Sequence, residues 1–487
     1  MVFDRARLKL FFLAILCVAV LLACTLWHFP FMGHDYSLII PALTDLKVAW
    51  KEFGVLNPQF SPMKCLGTPL WANPTGFNLS LLHFFVLIFN ELGGLVFFIG
   101  LIAILSFYGA YYLARHFGAN ERWSAYLATG WTLQGAMFVR VTVGHISYIN
   151  LGLFPLILFL FLRKGSRQSF VLEIVTISFL LSQFIYNPAP YLVIFFPMGL
   201  LACLPLMAIW KDERIKSLLN RSTLIKVSLI SLLTLLLTFD KLRAVSDLMK
   251  SFPRKMDLLE LSPLKVLGYA VLNPLSFWPH DFQKMVGWWY GNWESIQYLF
   301  PGLILVSLIL ILSRKDYKKL IQLSLSYLFI VSLTLILTSG ILAPLIKDIP
   351  FLNSMHANPR WNMVTLLPMF YLAIALVREL ADVKQWIIYS LLAVALFSPS
   401  LHIDKQNFGI RYYFLGSYDF ARNRLAYCYE PFFGYGLEAF PNPNGFKTDF
   451  LNGEFYDPRC YLQSRNCLPG TQLKPVEKEK LRTYHLR

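Results

Sequence analysis

From Leu8 to Leu26 the chain carries one charge, Lys9, and from Leu95 to Leu113 it carries none. Val227–Phe239, Leu303–Leu312 and Trp386–Phe397 are uncharged as well. A helix needs roughly 20 mostly apolar residues to cross about 30 Å of hydrocarbon, and these runs with their flanks reach that length. Composition says the same for the whole chain. Of its 487 residues 56% are hydrophobic and 15% charged, with mean hydropathy +0.53, whereas soluble domains carry about 25% charged residues. Much of the surface need not meet water, so the expected fold is an all-α polytopic membrane protein.

The runs predict about eleven spans: 8–28, 94–115, 122–139, 146–163, 169–186, 189–210, 223–240, 296–313, 319–338, 360–378 and 385–401. Arg5, Arg7 and Lys9 before the first apolar run resemble a signal peptide. However, the run outlasts a typical h-region and His28-Phe29-Pro30 is no small-residue cleavage site, so it reads as an uncleaved span. Lys and Arg gather between the runs at Arg115/Arg122, Arg163/Lys164/Arg167, Lys211/Arg214/Lys216/Arg221, Arg314/Lys315/Lys318/Lys319 and Arg378/Lys384. Cytoplasmic loops carry that excess, which predicts an N-terminus inside and a C-terminus outside, in a bacterial inner membrane. Leu79–Phe89 is apolar but short, and is expected to be interfacial or re-entrant. As a full span it would turn every later basic cluster outward. The net charge of +16 sits in these clusters and is not interleaved with aromatics in a soluble stretch. It points to anionic lipid rather than nucleic acid.

Residues 1–401 thus form the membrane domain, including large outer loops at 29–93 and 241–295. Residues 402–487, rich in Tyr, Phe, Gly and Pro, read as a small irregular or β-containing domain outside the cytoplasm. Cys17, Cys24 and Cys203 lie in spans as small apolar residues. Cys65, Cys428, Cys460 and Cys467 fall outside, where an oxidising compartment permits disulfides. Cys460 and Cys467 bracket a short turn-forming loop and are the expected pair, with free thiols as the alternative. No His/Cys spacing supports a metal site there.

No Walker loop, GxGxxG after a strand, HExxH or GxSxG occurs. The residues that could carry chemistry lie at the outer membrane surface. Gly33-His34-Asp35-Tyr36 follows the first span. A carboxylate at a hydrocarbon boundary is costly unless used or hydrogen-bonded, so Asp35 is either a general base or the N-cap of the helix after it. Gln59, Trp71 and Asn73 lie in a Pro- and Gly-rich stretch and offer amides and a stacking face to a sugar, or form an ordinary loop on the bilayer. Arg140, His145, His356 and Arg360 stand at outer span ends. They suit a phosphate at headgroup level, or snorkel to lipid. Asp281, Trp288, Trp289 and Glu294 make an aromatic cluster with carboxylates, fitting a carbohydrate cleft or an aromatic belt.

A first span, an outer loop opening on an acidic residue, short interfacial helices and many further spans resemble the GT-C superfamily of membrane glycosyltransferases. The Gly67-Thr68-Pro69-Leu70-Trp71-Ala72-Asn73-Pro74 stretch resembles its bacterial YfhO-like branch, linked to glycosylation of cell-surface polymers. Asn358-Pro359-Arg360-Trp361 is similar to the Arg-containing start of a late span in that family. The resemblance covers about residues 1–400 and implies an inverting transferase that takes a polyprenyl-phosphate-linked sugar at the outer face. Its catalytic acidic residue maps onto Asp35, with Arg360, Arg140, His145 and His356 around the donor phosphate. His34, Gln59, Trp71, Asn73, Asp281, Trp288, Trp289 and Glu294 would line the substrate cleft. Many members pair two acidic residues. Here Tyr36 follows Asp35, so Asp281 or Glu294 would have to be the second, and a divalent metal stays open as the only cofactor. A non-catalytic scaffold subunit that binds a protein partner through 402–487 is the alternative. A transporter is disfavoured by the few charges in the spans and the lack of inverted repeats.

Overall fold

The computed structural model describes residues 5–27, 31–32, 36–61, 68–163, 167–188, 190–215, 220–251, 263–275, 299–300, 303–313, 315–342, 358–380, 383–399 and 410–411. Helix α1 (Arg5–Thr25) has 21 residues, which rise about 31 Å. It buries Ala14, Cys17, Leu21 and Cys24 at helical spacing and leaves Leu8, Phe11, Phe12, Ile15 and Leu16 exposed. An exposed face of Leu and Phe has no favourable contact with water, so it is a lipid face. The described residues fold as an all-α membrane protein. Seven of their helices are long and apolar enough to cross a bilayer.

Helix α2 (Tyr36–Phe53) leads through β2 (Phe60–Ser61) and β3 (Thr68–Pro69), an antiparallel pair, to α3 (Leu81–Phe89). Nine residues rise only about 13 Å, so α3 is too short to span, as the sequence predicts. It turns straight into α4 (Glu91–His116), and a Cβ at Gly94 would meet the Val86 backbone nitrogen at 2.6 Å. Only glycine permits that approach.

Two predicted spans differ in form. The stretch 122–139 is two helices, α5 (Glu121–Thr132) and α6 (Gly135–Val143), broken at Leu133-Gln134. The stretch 146–163 opens as a 3-10 turn (Ile146–Leu153) before α7 (Phe154–Leu162). Irregular backbone at membrane depth is tolerated where protein covers it, and every residue from Gly135 to Leu153 is buried except Ile146's neighbour His145. Helix α7 passes so close to α4 that a Cβ at Gly109 would lie 2.6 Å from the Leu156 nitrogen.

Helices α8 (Arg167–Tyr186), α9 (Leu192–Ile209), α10 (Arg221–Ser251) and α11 (Pro263–Leu275) follow, then α12 (Leu303–Ser313) and α13 (Tyr317–Thr338). A 3-10 turn (Asn358–Thr365) opens α14 (Leu366–Glu379), and α15 (Gln385–Phe397) is short. Of the most apolar 18 residues within Arg360–Glu379, 94% are buried, against 22% of those within Arg221–Leu248. So α14 is the centre of the bundle and α10 its lipid-facing rim. Helix α10 runs on to Ser251 and α11 is helical, so the described parts of the predicted outer loop 241–295, residues 241–251 and 263–275, are helix.

Polar contacts sort the loops onto two ends. At one end Asp212 accepts from Tyr371 (3.1 Å) and Arg214 (3.1 Å), with Arg378 at 3.7 Å. There too Lys319 pairs with Glu379 at 2.7 Å, and the Trp123 indole donates to the Leu380 carbonyl at 3.1 Å. Four of the basic clusters predicted to be cytoplasmic, at 115–122, 211–221, 314–319 and 378–384, therefore meet one another. At the other end β1 (Phe31–Met32), just past α1, pairs antiparallel with β4 (Ile410–Arg411). The chain entering the C-terminal region lies where α1 ends, a helix length from where α1 begins.

Candidate functional site

The site is built where α6 stops. Gly144 takes a left-handed φ of +108°, which glycine adopts without strain. Its N–H and that of His145 both bond back to the Arg140 carbonyl, at 3.1 and 2.8 Å. The 3-10 turn then carries Tyr148 beneath Arg140, whose guanidinium lies 4.4 Å from the ring centroid. His145 stacks on the same ring at 5.7 Å.

Across from it, Tyr191 opens α9 after Pro188 and Pro190, which fix the turn out of α8. Its hydroxyl shares a 2.5 Å hydrogen bond with that of Tyr148, and Arg360 donates to it from Nη1 at 3.4 Å. The turn holding Arg360 is itself fixed. Trp361 packs on Phe195 at 5.6 Å, and Asn362 donates to the Tyr269 hydroxyl at 3.0 Å. One chain of contacts thus runs from Arg140 through Tyr148 and Tyr191 to Arg360. Three of the four side chains predicted to face a phosphate, Arg140, His145 and Arg360, converge here, from segments far apart in sequence.

Arg140 is fully buried, so it cannot snorkel to lipid; Arg360 is half-buried and reaches the surface. Tyr36, the residue after Asp35 in the chain, opens α2. It is buried, and its hydroxyl donates to the carbonyl of Val141, the residue after Arg140, at 2.7 Å. Burial pushes the Tyr36 phenol far above its ordinary pKa, so the phenol keeps its proton and remains a donor.

The stretch with Gln59, Trp71 and Asn73 lies at the same end. The Gln59 carbonyl accepts from Leu70 at 2.9 Å, and its Nε2 donates to the Asn57 carbonyl at 3.4 Å. Asn73 Oδ1 closes a local turn, accepting from the Thr75 N–H and hydroxyl at 2.9 and 2.7 Å. Trp71 is half-buried, 6.2 Å from the Tyr186 ring. Lys241, the first residue of the predicted outer loop 241–295, fixes this stretch. It is buried, and donates to the Trp71 and Asn73 carbonyls at 2.6 and 3.1 Å, its ammonium 5.2 Å from the Trp71 ring. Its only advance signal is a cation at the end of an apolar run.

His34, Asp35, Asp281, Trp288, Trp289, Glu294 and His356 lie outside the described residues, as do Cys65, Cys428 and the expected pair Cys460–Cys467. Cys17, Cys24 and Cys203 are buried free thiols, the packing residues expected of them. Among the described residues, no three His, Cys, Asp or Glu side chains are grouped to hold a metal ion. No family model, curated protein or solved structure matches the chain.

Proposed function

We propose that this chain is a membrane glycosyltransferase that takes a polyprenyl-phosphate-linked sugar at the outer face of a bacterial inner membrane and passes it to a cell-surface acceptor. The observation that carries the reading is the convergence of Arg140, His145 and Arg360 around the Tyr148–Tyr191 pair. When the glycosidic bond breaks, negative charge builds on the lipid phosphate, and fixed cations aimed at it lower the barrier. Arg360, the accessible one, would touch the phosphate. Arg140, enclosed, would add its field in a medium that screens it weakly. Asp35 immediately precedes Tyr36, whose side chain ends beside Arg140, and would take the proton of the acceptor hydroxyl.

The leaving group is shared by every such donor, so undecaprenyl phosphate is the probe. The full chain in nanodiscs should bind it at least about tenfold more tightly than undecaprenol, a difference of about 1.4 kcal/mol. Arg360→Gln should remove that preference. Equal binding of the two lipids by the wild type would end this reading.

The orientation follows from the basic end meeting the cytoplasm. An impermeant maleimide should label a cysteine placed at Ser417 in intact cells, and one placed at Lys318 only after the membrane is opened. The reverse pattern would put Arg360 and Asp35 on the wrong side for a lipid-linked donor displayed outside.

A further inference from the structure

Arg140 cannot touch a ligand, because it is fully enclosed, yet it stands one tyrosine ring from the hydroxyl that accepts from Arg360. Tyr148 presents two separable features. Its ring lies under the Arg140 guanidinium at 4.4 Å and against His145 at 5.7 Å. Its hydroxyl does something else, sharing the 2.5 Å bond with Tyr191. A phenol ring beneath a cation is attracted through its face, so the field of Arg140 reaches the Tyr148 hydroxyl whichever of the two tyrosines donates in the shared bond. Hydrogen bonds in series polarise one another where the dielectric is low. Tyr148 and Tyr191 are both buried, 3% and 6% exposed, so water does not screen the link.

We infer that the Tyr148–Tyr191 hydroxyl pair is a positioning element that couples Arg140 to Arg360 and makes the two cations act as one anion site. This rests on the lipid-phosphate reading for the identity of the anion, but the coupling itself is a property of the ligand-free protein. The two residues hold Arg360 in place without being catalytic. Nothing in their sequence neighbourhood marks them, since they lie 43 residues apart on different helical segments.

Tyr148→Phe is the clean test, because the ring and its contacts to Arg140 and His145 remain while the hydroxyl link goes. Thermal unfolding of Arg140→Met, Arg360→Met and the double variant, without ligand, should be non-additive in the wild-type background and additive in the Tyr148→Phe background. In undecaprenyl phosphate binding, Tyr148→Phe should weaken the wild type about five- to tenfold, and should erase a coupling of about fivefold or more between the two arginine variants. Tyr191→Phe should reproduce both effects. Additivity already in the wild-type background, or coupling that survives both phenylalanine variants, overturns the inference. If undecaprenyl phosphate binds no better than undecaprenol while the unfolding cycle shows the coupling, the ligand assignment fails and the positioning role stands.

Discussion

Asp35→Asn should leave the protein folded and slow sugar transfer by about 10²- to 10⁴-fold, the usual contribution of a positioned general base. The substitution keeps the size and shape of the side chain and removes its negative charge and its ability to take a proton. An N-cap role separates cleanly from the catalytic one, because asparagine caps a helix as well as aspartate does. A capping Asp35 would therefore give a variant with wild-type melting and wild-type transfer. A base would give wild-type melting and lost transfer. Affinity for undecaprenyl phosphate should not weaken in either case, since the proposed phosphate contact at Arg360 remains and a negative charge has been removed. Transfer at the wild-type rate removes Asp35 as the base.

Those cations were legible because charge is rare in this chain. Where 15% of residues are charged, an Arg at the end of an apolar run stands out, and Arg140, His145 and Arg360 could be singled out before their meeting was visible. What joins them was hidden for the opposite reason. The chain has 24 tyrosines, and nothing in the residues around Tyr148 or Tyr191 separates a bridging phenol from one at the membrane boundary. Lys241 gives no signal of its place because α10 outlasts its apolar run and continues to Ser251. The break at Leu133-Gln134 escaped because hydropathy averages over it. One buried glutamine before a glycine does not lower a window that also holds Trp131, Met137 and Phe138.

The membrane-bundle class was readable because apolar length is a physical requirement of the bilayer and not a statistical preference. The grouping of basic loops at one end was readable for a related reason. Each cluster had to lie on the same side for the charge asymmetry to be consistent, and the contacts of Asp212 with Arg378, of Lys319 with Glu379 and of Trp123 with Leu380 bring four of those loops together. Depth within the bundle was not readable. Arg140 was expected at a span end with the choice of snorkelling to lipid, and only the packing of α6 against the 3-10 turn decides that it lies enclosed.

Lys226→Met should destabilise the protein by about 3–5 kcal/mol, the cost of stripping a buried charge of its partner. Lys226 and Glu173 are 5% and 4% exposed and lie 2.7 Å apart, joining α10 to α8. The ammonium spends its other two donors on the carbonyls of Leu160 and Phe161, at 2.9 and 3.0 Å. Those carbonyls belong to the last turn of α7, which has no intrahelical donors left to offer them. One side chain thus neutralises a carboxylate and caps a helix, with the rings of Phe161 and Phe170 at 5.7 and 5.9 Å excluding water. Methionine fills the space and supplies none of this. Glu173→Gln alone should cost less, because the ammonium keeps both carbonyls, and Glu173→Leu in the Lys226→Met background should recover a large part of the loss. The measurement is the unfolding midpoint of the four proteins in one detergent. If Lys226→Met melts with the wild type, the pair does not hold α8 to α10, and that contact depends on apolar packing and on the Ser178 and Tyr186 hydroxyls that donate to the Ile230 and Leu237 carbonyls.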